Sequence, residues 1–417
     1  TARGAAPGLM ARTELHIESI AGGGDGVARA GSLVVFVPRT APGDDVMAEV
    51  EPRGRFARGR LVAVTRPSAS RVEPPCPHYT RDRCGGCQLQ HMAYEAQLDA
   101  KARIVRDALQ RIGRREVPPF EVRASAARWR YRRKLTLALR PRGGGWIAGL
   151  HPFDDPARIF PLDDCPITDE RVMAAWREVL TASALLPRAR ELRGAVRLDG
   201  GVTLVLEGGA AWRESERFFE AVPSLAALWW MPDGGGRPLL HARGGEGAPG
   251  ASFAQVNAAV AAELGALVVE RALAYHPAAV VDGYAGLGET AAALASAGAR
   301  VAAVELDPDA AAWCGARLPA GSRAIAARVE DVLPELLPAD VVILNPPRAG
   351  VDERVTAALE SAEPRPSAVL YVSCNPATLA RDLARLPGYR IASLVAFDMF
   401  PQTAHVETVC ELVPEAA

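Results

Sequence analysis

Between Glu14 and about Arg71 the apolar residues come in short runs separated by Gly22-Gly23-Gly24-Asp25-Gly26 and Ala41-Pro42-Gly43-Asp44, with Leu33-Val34-Val35-Phe36-Val37 the clearest run. This punctuation predicts five short strands and a small OB-like β-barrel. From Tyr94 to Ile112 the period becomes helical, and Leu98, Ile104, Val105, Ala108 and Leu109 fall on one side of an amphipathic helix. Strand alternation returns near residues 134–139 and 202–206 and ends in the turn-rich clusters 232–236 and 244–250. From Ser252 onward, apolar strands alternate with Ala-rich helices, the pattern of a doubly wound α/β sheet. The expected division is a barrel at 11–71, a central α+β domain at 72–250 that includes a helix at 94–113, and an α/β domain at 251–417.

A chain of 417 residues is long enough for two or three cores of this kind. No apolar run approaches the roughly 20 residues that span a bilayer, and no signal-like segment is present, so a cytoplasmic protein with reduced thiols is expected. Net charge is only −1, which argues against general polyanion binding. Its distribution is uneven: residues 53–71 hold six arginines and no acid, and residues 101–142 hold fourteen basic residues against three acidic ones. Within the second stretch, Arg128-Trp129-Arg130-Tyr131-Arg132-Arg133-Lys134 interleaves aromatics with cations, a composition suited to phosphates and unpaired bases. Arg130, Arg132, Arg133 and Lys134 are therefore candidate RNA contacts, with a solvated strand face as the plain alternative.

The α/β segment carries the chemistry. Val280-Val281-Asp282-Gly283-Tyr284-Ala285-Gly286-Leu287-Gly288-Glu289 is a strand entering a Gly-rich turn and then a helix, a cradle for a nucleotide-like cofactor. A second strand ends at Glu305, placed to accept ribose hydroxyls. These features suit a nicotinamide enzyme or an S-adenosylmethionine enzyme equally well. Asn345-Pro346-Pro347 after a third strand favours the latter, since a rigid turn there fixes an amide beside the transferable group. Farther on, Val372-Ser373-Cys374-Asn375-Pro376 offers a nucleophile and His405-Val406-Glu407 a base. Of the seven cysteines, Cys76, Cys84 and Cys87 lie in one irregular loop and Cys165 follows at a distance, a set that suits an iron-sulfur cluster or a structural zinc ion. Cys314 and Cys410 fall in apolar patterns as small core residues.

Taken together, these motifs resemble the RNA (uracil-5-)-methyltransferase family over nearly the whole chain, and most closely its bacterial 23S rRNA members that carry a 4Fe-4S cluster. The resemblance implies a class I S-adenosylmethionine-dependent methyltransferase fold, methylation of a uridine at carbon-5, Cys374 as nucleophile and Glu407 as base. It implies cofactor contacts at Gln255, Asp282, Tyr284, Gly286, Glu305, Asp331 and Asn345, and places Phe253, in Ser252-Phe253-Ala254-Gln255-Val256-Asn257, beside the target base. Cys76, Cys84, Cys87 and Cys165 become cluster ligands. The amino-terminal barrel resembles the RNA-binding TRAM domain through Gly24-Asp25-Gly26-Val27-Ala28-Arg29, Phe36-Val37-Pro38 and Pro42-Gly43-Asp44. A monomer acting on 23S rRNA, or alternatively on tRNA, is the expected state.

One position departs from the family: Asn345 stands where Asp is usual, and an amide accepts and donates hydrogen bonds without carrying charge. Two other readings therefore stand beside the first. An exocyclic-amine methyltransferase would use Asn-Pro-Pro without Cys374 or Glu407, and a catalytically inactive iron-sulfur assembly factor would only bind RNA.

Overall fold

The computed structural model describes residues 11–244 and 255–415, built around three sheets. The first comprises β1 (Ala11–His16), β2 (Ser19–Ile20), β3 (Gly26–Ala30), β4 (Leu33–Val37), β5 (Asp45–Arg53) and β6 (Phe56–Arg66), in the order β1-β5-β6-β4-β3-β2. There are six strands rather than five, because β2 is too short to show a period in sequence and is defined by its pairing with β3. Leu15, Ile17, Ala28, Val35, Val37, Val46, Ala48 and Ala57 fill its core. Asp44 is fully buried: its carboxylate accepts from the backbone N–H groups of Ala41 at 2.6 Å and Ser68 at 2.8 Å and from Arg71 Nε at 2.9 Å. Ala41-Pro42-Gly43-Asp44 is thus an internal fastening of the turn.

The short helix α1 (Pro77–Thr80), the long helix α2 (Tyr94–Arg111) and the short strand β7 (Val122–Arg123) follow. Helix α2 connects separate cores: Val105 and Leu109 enter the core of the third sheet, while Ala100 and Ile104 meet Ile20, Leu89 and Ala404. Its buried stripe also contains Gln97 and Lys101, whereas Leu98 is only half-buried. Apolar periodicity alone misplaced this face, because two polar side chains find partners inside.

The second sheet contains β8 (Lys134–Arg142), β9 (Gly145–Leu150), β10 (Phe160–Pro161), β11 (Leu192–Leu198), β12 (Val202–Glu207), β13 (Leu225–Met231) and β14 (Leu239–Ala242), in the order β10-β9-β8-β11-β12-β13-β14. Helix α3 (Glu170–Thr181) starts where the Asp169 side chain accepts from Arg171 N at 2.9 Å, a typical N-cap. It lays Val172, Met173, Ala175, Trp176 and Val179 in this core. Phe218 and Phe219 of α4 (Ser215–Ala221) complete it.

The third sheet runs β17-β16-β15-β18-β19-β21-β20-β7, with β15 (Ala279–Gly283), β16 (Arg300–Glu305), β17 (Arg323–Ala326), β18 (Val341–Leu344), β19 (Ala368–Ser373), β20 (Tyr389–Phe397) and β21 (Glu407–Pro414). Helices α5 (Ala258–Leu273), α6 (Glu289–Ser296), α7 (Pro308–Arg317), α8 (Val329–Leu336), α9 (Glu353–Ser361) and α10 (Pro376–Leu383) alternate with its strands. Strands β15 to β19 are mutually parallel, and every residue of β18 and β19 is buried, which explains their unbroken apolar runs. The last strand, β21, enters antiparallel between β19 and β20. That insertion brings the end of the chain into the middle of the sheet. Phe253 and most of the 244–250 turn cluster lie outside the described residues.

Candidate active site

The carboxyl ends of β15, β16, β18 and β19 form one edge, where a doubly wound sheet binds ligands. Asp282, the next-to-last residue of β15, is almost fully buried, and its Oδ2 has no hydrogen-bond partner. Burial lifts its carboxyl to about 7, opposed by a backbone N–H bond from Ala291 and reinforced by nearby Glu305. The turn that follows places Tyr284, Gly286 and Gly288 at φ values of 63°, 57° and 79°. At Gly288 a Cβ would lie 2.1 Å from Cys314 Sγ, so the close approach of α6 to α7 needs glycine there. Glu305 at the end of β16 accepts from Gly286 N at 2.8 Å and Asp307 N at 2.9 Å, bridging two turns. The next residue, Leu306, is 58% exposed beside it, an apolar surface that the motifs did not single out. Asn345 follows β18, and its N–H donates to Gly283 O at 3.2 Å.

Ser373, the last residue of β19, pairs with Thr408 of β21, and Cys374 and Glu407 each lie one residue beyond that rung, near enough for the Glu407 charge to act on the thiol. The cysteine turn is held tightly: Asn375 N donates to Ser373 Oγ at 3.1 Å, Thr408 Oγ1 donates to Ser373 O at 3.2 Å, and Asn375 caps α10. Glu407 is buried, and burial raises its carboxyl to about 8 against the lowering field of Arg348. The Cys374 thiol is raised by burial and then by Glu407, while Arg348 lowers it through its charge and a side-chain hydrogen bond. Arg348, the residue after the Pro-Pro turn, therefore acts on both groups, and its Nη2 also lies 3.4 Å from His405 Nε2. Sequence reading passed over Arg348, although its place beside Asn345-Pro346-Pro347 was a usable signal.

Gln255 is half-buried, and the carbonyl of its neighbour Val256 accepts from Arg133 N at 2.8 Å. Asn257 caps α5 and donates from Nδ2 to Ser125 Oγ at 3.0 Å, joining this segment to the stretch after α2. Asp331, expected near a cofactor, forms an ion pair with Arg354 at 2.8 Å.

The expected RNA contacts are more committed than their composition suggested. Arg130 makes a two-pronged ion pair with Asp164, at 2.9 and 2.7 Å, and donates to Cys165 O at 3.0 Å. Arg132 and Lys134 are half-buried, with Arg132 Nε donating to Lys134 O at 2.9 Å. Arg133 Nε is buried without a hydrogen-bond partner.

Cys76, Cys84, Cys87 and Cys165 line one cavity of about 140 Å³, with His78, Gln90, Arg132 and Ile167 among its other walls. All are free thiols. Burial raises Cys84 to about 11 and also raises Cys87 and Cys165, and the mutual influence of the four sulfurs adds to the shift. Among the described residues, no three His, Cys, Asp or Glu side chains are grouped to hold one metal ion. Cys314 and Cys410 are core residues, as their patterns predict.

This fold and site define a class I S-adenosylmethionine-dependent methyltransferase. A family profile described as tRNA (Uracil-5-)-methyltransferase matches residues 320–413. The chain is 35% identical to an uncharacterized RNA methyltransferase of Thermosynechococcus vestitus, with 96% of this chain and 98% of the relative covered. It is 33% identical to the 23S rRNA (uracil(1939)-C(5))-methyltransferase RlmD of Halomonas elongata, with 96% and 89% covered. Its structure aligns to the Pyrococcus abyssi tRNA (uracil-54, C5)-methyltransferase, solved with S-adenosyl-L-homocysteine, at a TM-score of 0.70 and 25% identity, with 96% of this chain and 100% of that chain covered. The chain belongs to the S-adenosylmethionine-dependent RNA (uracil-5-)-methyltransferase family. Among the described residues no helix is long and apolar enough to cross a membrane.

Proposed function

We propose that this enzyme methylates carbon-5 of a uridine in 23S rRNA through a covalent adduct between Cys374 and carbon-6. The nearness of Cys374 to Glu407, each one residue beyond the last rung of the β19–β21 ladder, carries the reading. The orphaned Asp282 oxygen, the Glu305 carboxylate and the bare Leu306 surface fit the amino acid, ribose and ring of S-adenosylmethionine, which supplies an electrophilic methyl group when bound. Carbon-5 of uracil is a weak nucleophile, so Cys374 first adds to carbon-6 as a thiolate, with Arg348 favouring the ionised sulfur. Electron density moved onto carbon-5 then forms the C5–CH3 bond, and S-adenosylhomocysteine leaves. Glu407 takes the proton from carbon-5, the C5–H electron pair restores the C5=C6 bond, and the C6–S bond breaks to release Cys374. A carboxylate raised to about 8 is a stronger base than an exposed one.

The 23S rRNA target follows relatives 32–33% identical that are named for it. A tRNA target is the second reading, favoured by the Pyrococcus structural neighbour. Residues 11–71 serve as a TRAM-like RNA-binding unit; the exposed Arg53, Arg55, Arg58 and Arg60 around the β5–β6 turn support this. The four-cysteine cavity is read as the site of a 4Fe-4S cluster, as the family resemblance implies. Four thiolates from irregular backbone around one cavity support this, with a structural zinc ion as the alternative.

The test is incubation with S-adenosylmethionine and ribosomal RNA containing 5-fluorouridine, in which fluorine blocks the final proton removal. A denaturation-resistant RNA adduct at Cys374 supports the reading, and its sequence names the site. An active enzyme that forms no adduct refutes the covalent route.

A further inference from the structure

Gln402 lies in the segment between β20 and β21, five residues before Glu407, almost fully buried and with a left-handed φ of 71°. A non-glycine residue holds that conformation only when its surroundings impose it. Its backbone carbonyl accepts from two consecutive amides, Gln88 N at 3.2 Å and Leu89 N at 2.9 Å, the residues that directly follow Cys87. Its own N–H donates to Gln97 Oε1 at 3.0 Å, and Gln97 Nε2 donates back to Gln402 Oε1 at 2.9 Å, fastening the segment to α2. The neighbouring Pro401 carbonyl accepts from Tyr131 OH at 3.0 Å, and Tyr131 packs with Cys76, Cys87 and Ile167. From the first sheet, Gly24 approaches so closely that a Cβ there would meet Gln88 Cβ at 2.4 Å. Elements belonging to all three sheets thus converge on the segment that leads to Glu407.

We propose that Gln402 is a positioning residue that fastens the segment leading to the general base between α2 and the cysteine loop, so that this fastening governs the proton-removal half of the reaction. The inference rests on reading Glu407 as the base. Proton transfer needs the carboxylate within about 2.6–3.2 Å of the proton-bearing atom, and a displacement of about 1 Å can cost roughly a hundredfold. Nucleophilic attack is less exposed to this segment, because the Cys374 turn is held from its own side by the bond of Asn375 N to Ser373 Oγ and by the Asn375 cap of α10.

The experiment compares Gln402→Gly, which keeps the left-handed backbone and its N–H bond and removes the bond from Gln97 Nε2, with Gln97→Ala, which removes both bonds between the segment and α2. Glu407→Gln is the reference. Single-turnover assays of the full chain with unmodified RNA read methyl transfer, KM for RNA and the fraction of methylated RNA in an adduct that survives a denaturing gel. For both amide variants the expected result is methyl transfer and KM within about twofold of wild type, release slowed about tenfold or more, and accumulation of methylated adduct. If Glu407→Gln traps adduct and the amide variants do not, or if they lose both half-reactions in parallel, the proposal is overturned. If Glu407→Gln traps none, the base assignment fails and takes the proposal with it. Should one amide variant fail to fold, the other still decides.

Discussion

Lys101 and Asp398, 297 residues apart, form an ion pair from which solvent is fully excluded. Asp398 Oδ2 also accepts from Tyr94 OH at 2.6 Å, and Lys101 Nζ donates to Phe400 O at 3.1 Å. Two positions of α2 thereby lock the strand end that precedes Gln402. Burial lowers the lysine's pKa, opposed by the Asp398 charge, so removing the acid leaves an uncompensated ammonium. Lys101→Met or Asp398→Asn alone should cost roughly 3–5 kcal/mol, because the remaining charge loses its partner in a dry site. The double variant should recover much of that loss in urea unfolding. A double variant that loses the sum of the two single losses would show that the pair is not coupled.

Glu407 and Asp282 make stability fall as pH rises. Each has a folded pKa above its ordinary value, 4.5 moving to about 8 and 3.8 moving to about 7. The folded state therefore holds more protons than the unfolded chain between these limits. Their contribution is complete below about pH 4 and is lost as pH passes through 7 and 8. Glu407→Gln should flatten the upper part of this decline and raise stability at pH 9 more than at pH 5, measured by urea midpoints. An equal shift at both pH values would contradict burial of the ionisable carboxyl. The release step should also quicken with pH up to about 8, since the base acts as carboxylate.

Asn345→Asp should sharpen base preference. An amide can accept from uracil N3–H or donate to cytosine N3, whereas a carboxylate only accepts. Trapping with matched oligonucleotides bearing 5-fluorouridine or 5-fluorocytidine should show the uracil preference rising about tenfold in the variant, the scale of one lost or mismatched hydrogen bond. Unchanged discrimination would place Asn345 away from the base edge.

Each of Cys76, Cys84, Cys87 and Cys165 should be needed for metal content. Substitution of any one by Ser should lower bound iron and weaken the visible absorption of the anaerobically purified protein, with the thermal midpoint falling as the cavity loses its internal cross-link. Zinc in a one-to-one ratio without iron would reverse the choice between the two cofactors.

Much of this protein can be read along the chain, where the chemistry depends on short local patterns. The apolar runs of β15, β16 and β18, the glycines before α6, the acid at Glu305 and the Cys374 turn are all local, because a parallel buried strand and a left-handed turn each demand particular residue types within a few positions. Spacing also grouped Cys76, Cys84, Cys87 and Cys165, which the fold brings to one cavity. Other features had no local signature. Gln97 and Lys101 lie outside the apolar set that periodicity picks out on α2, and only partners about three hundred residues away make their burial possible. The cations of residues 128–134 read as a free basic face, yet Arg130 is committed to Asp164 and Cys165. The nearness of Cys374 and Glu407 arises because β21 inserts between β19 and β20, a choice of strand order that residue types do not encode. Local chemistry was thus determined by sequence, while the pairing of distant groups was decided by tertiary structure, since a hydrogen bond or charge becomes worth burying only when its partner is also there.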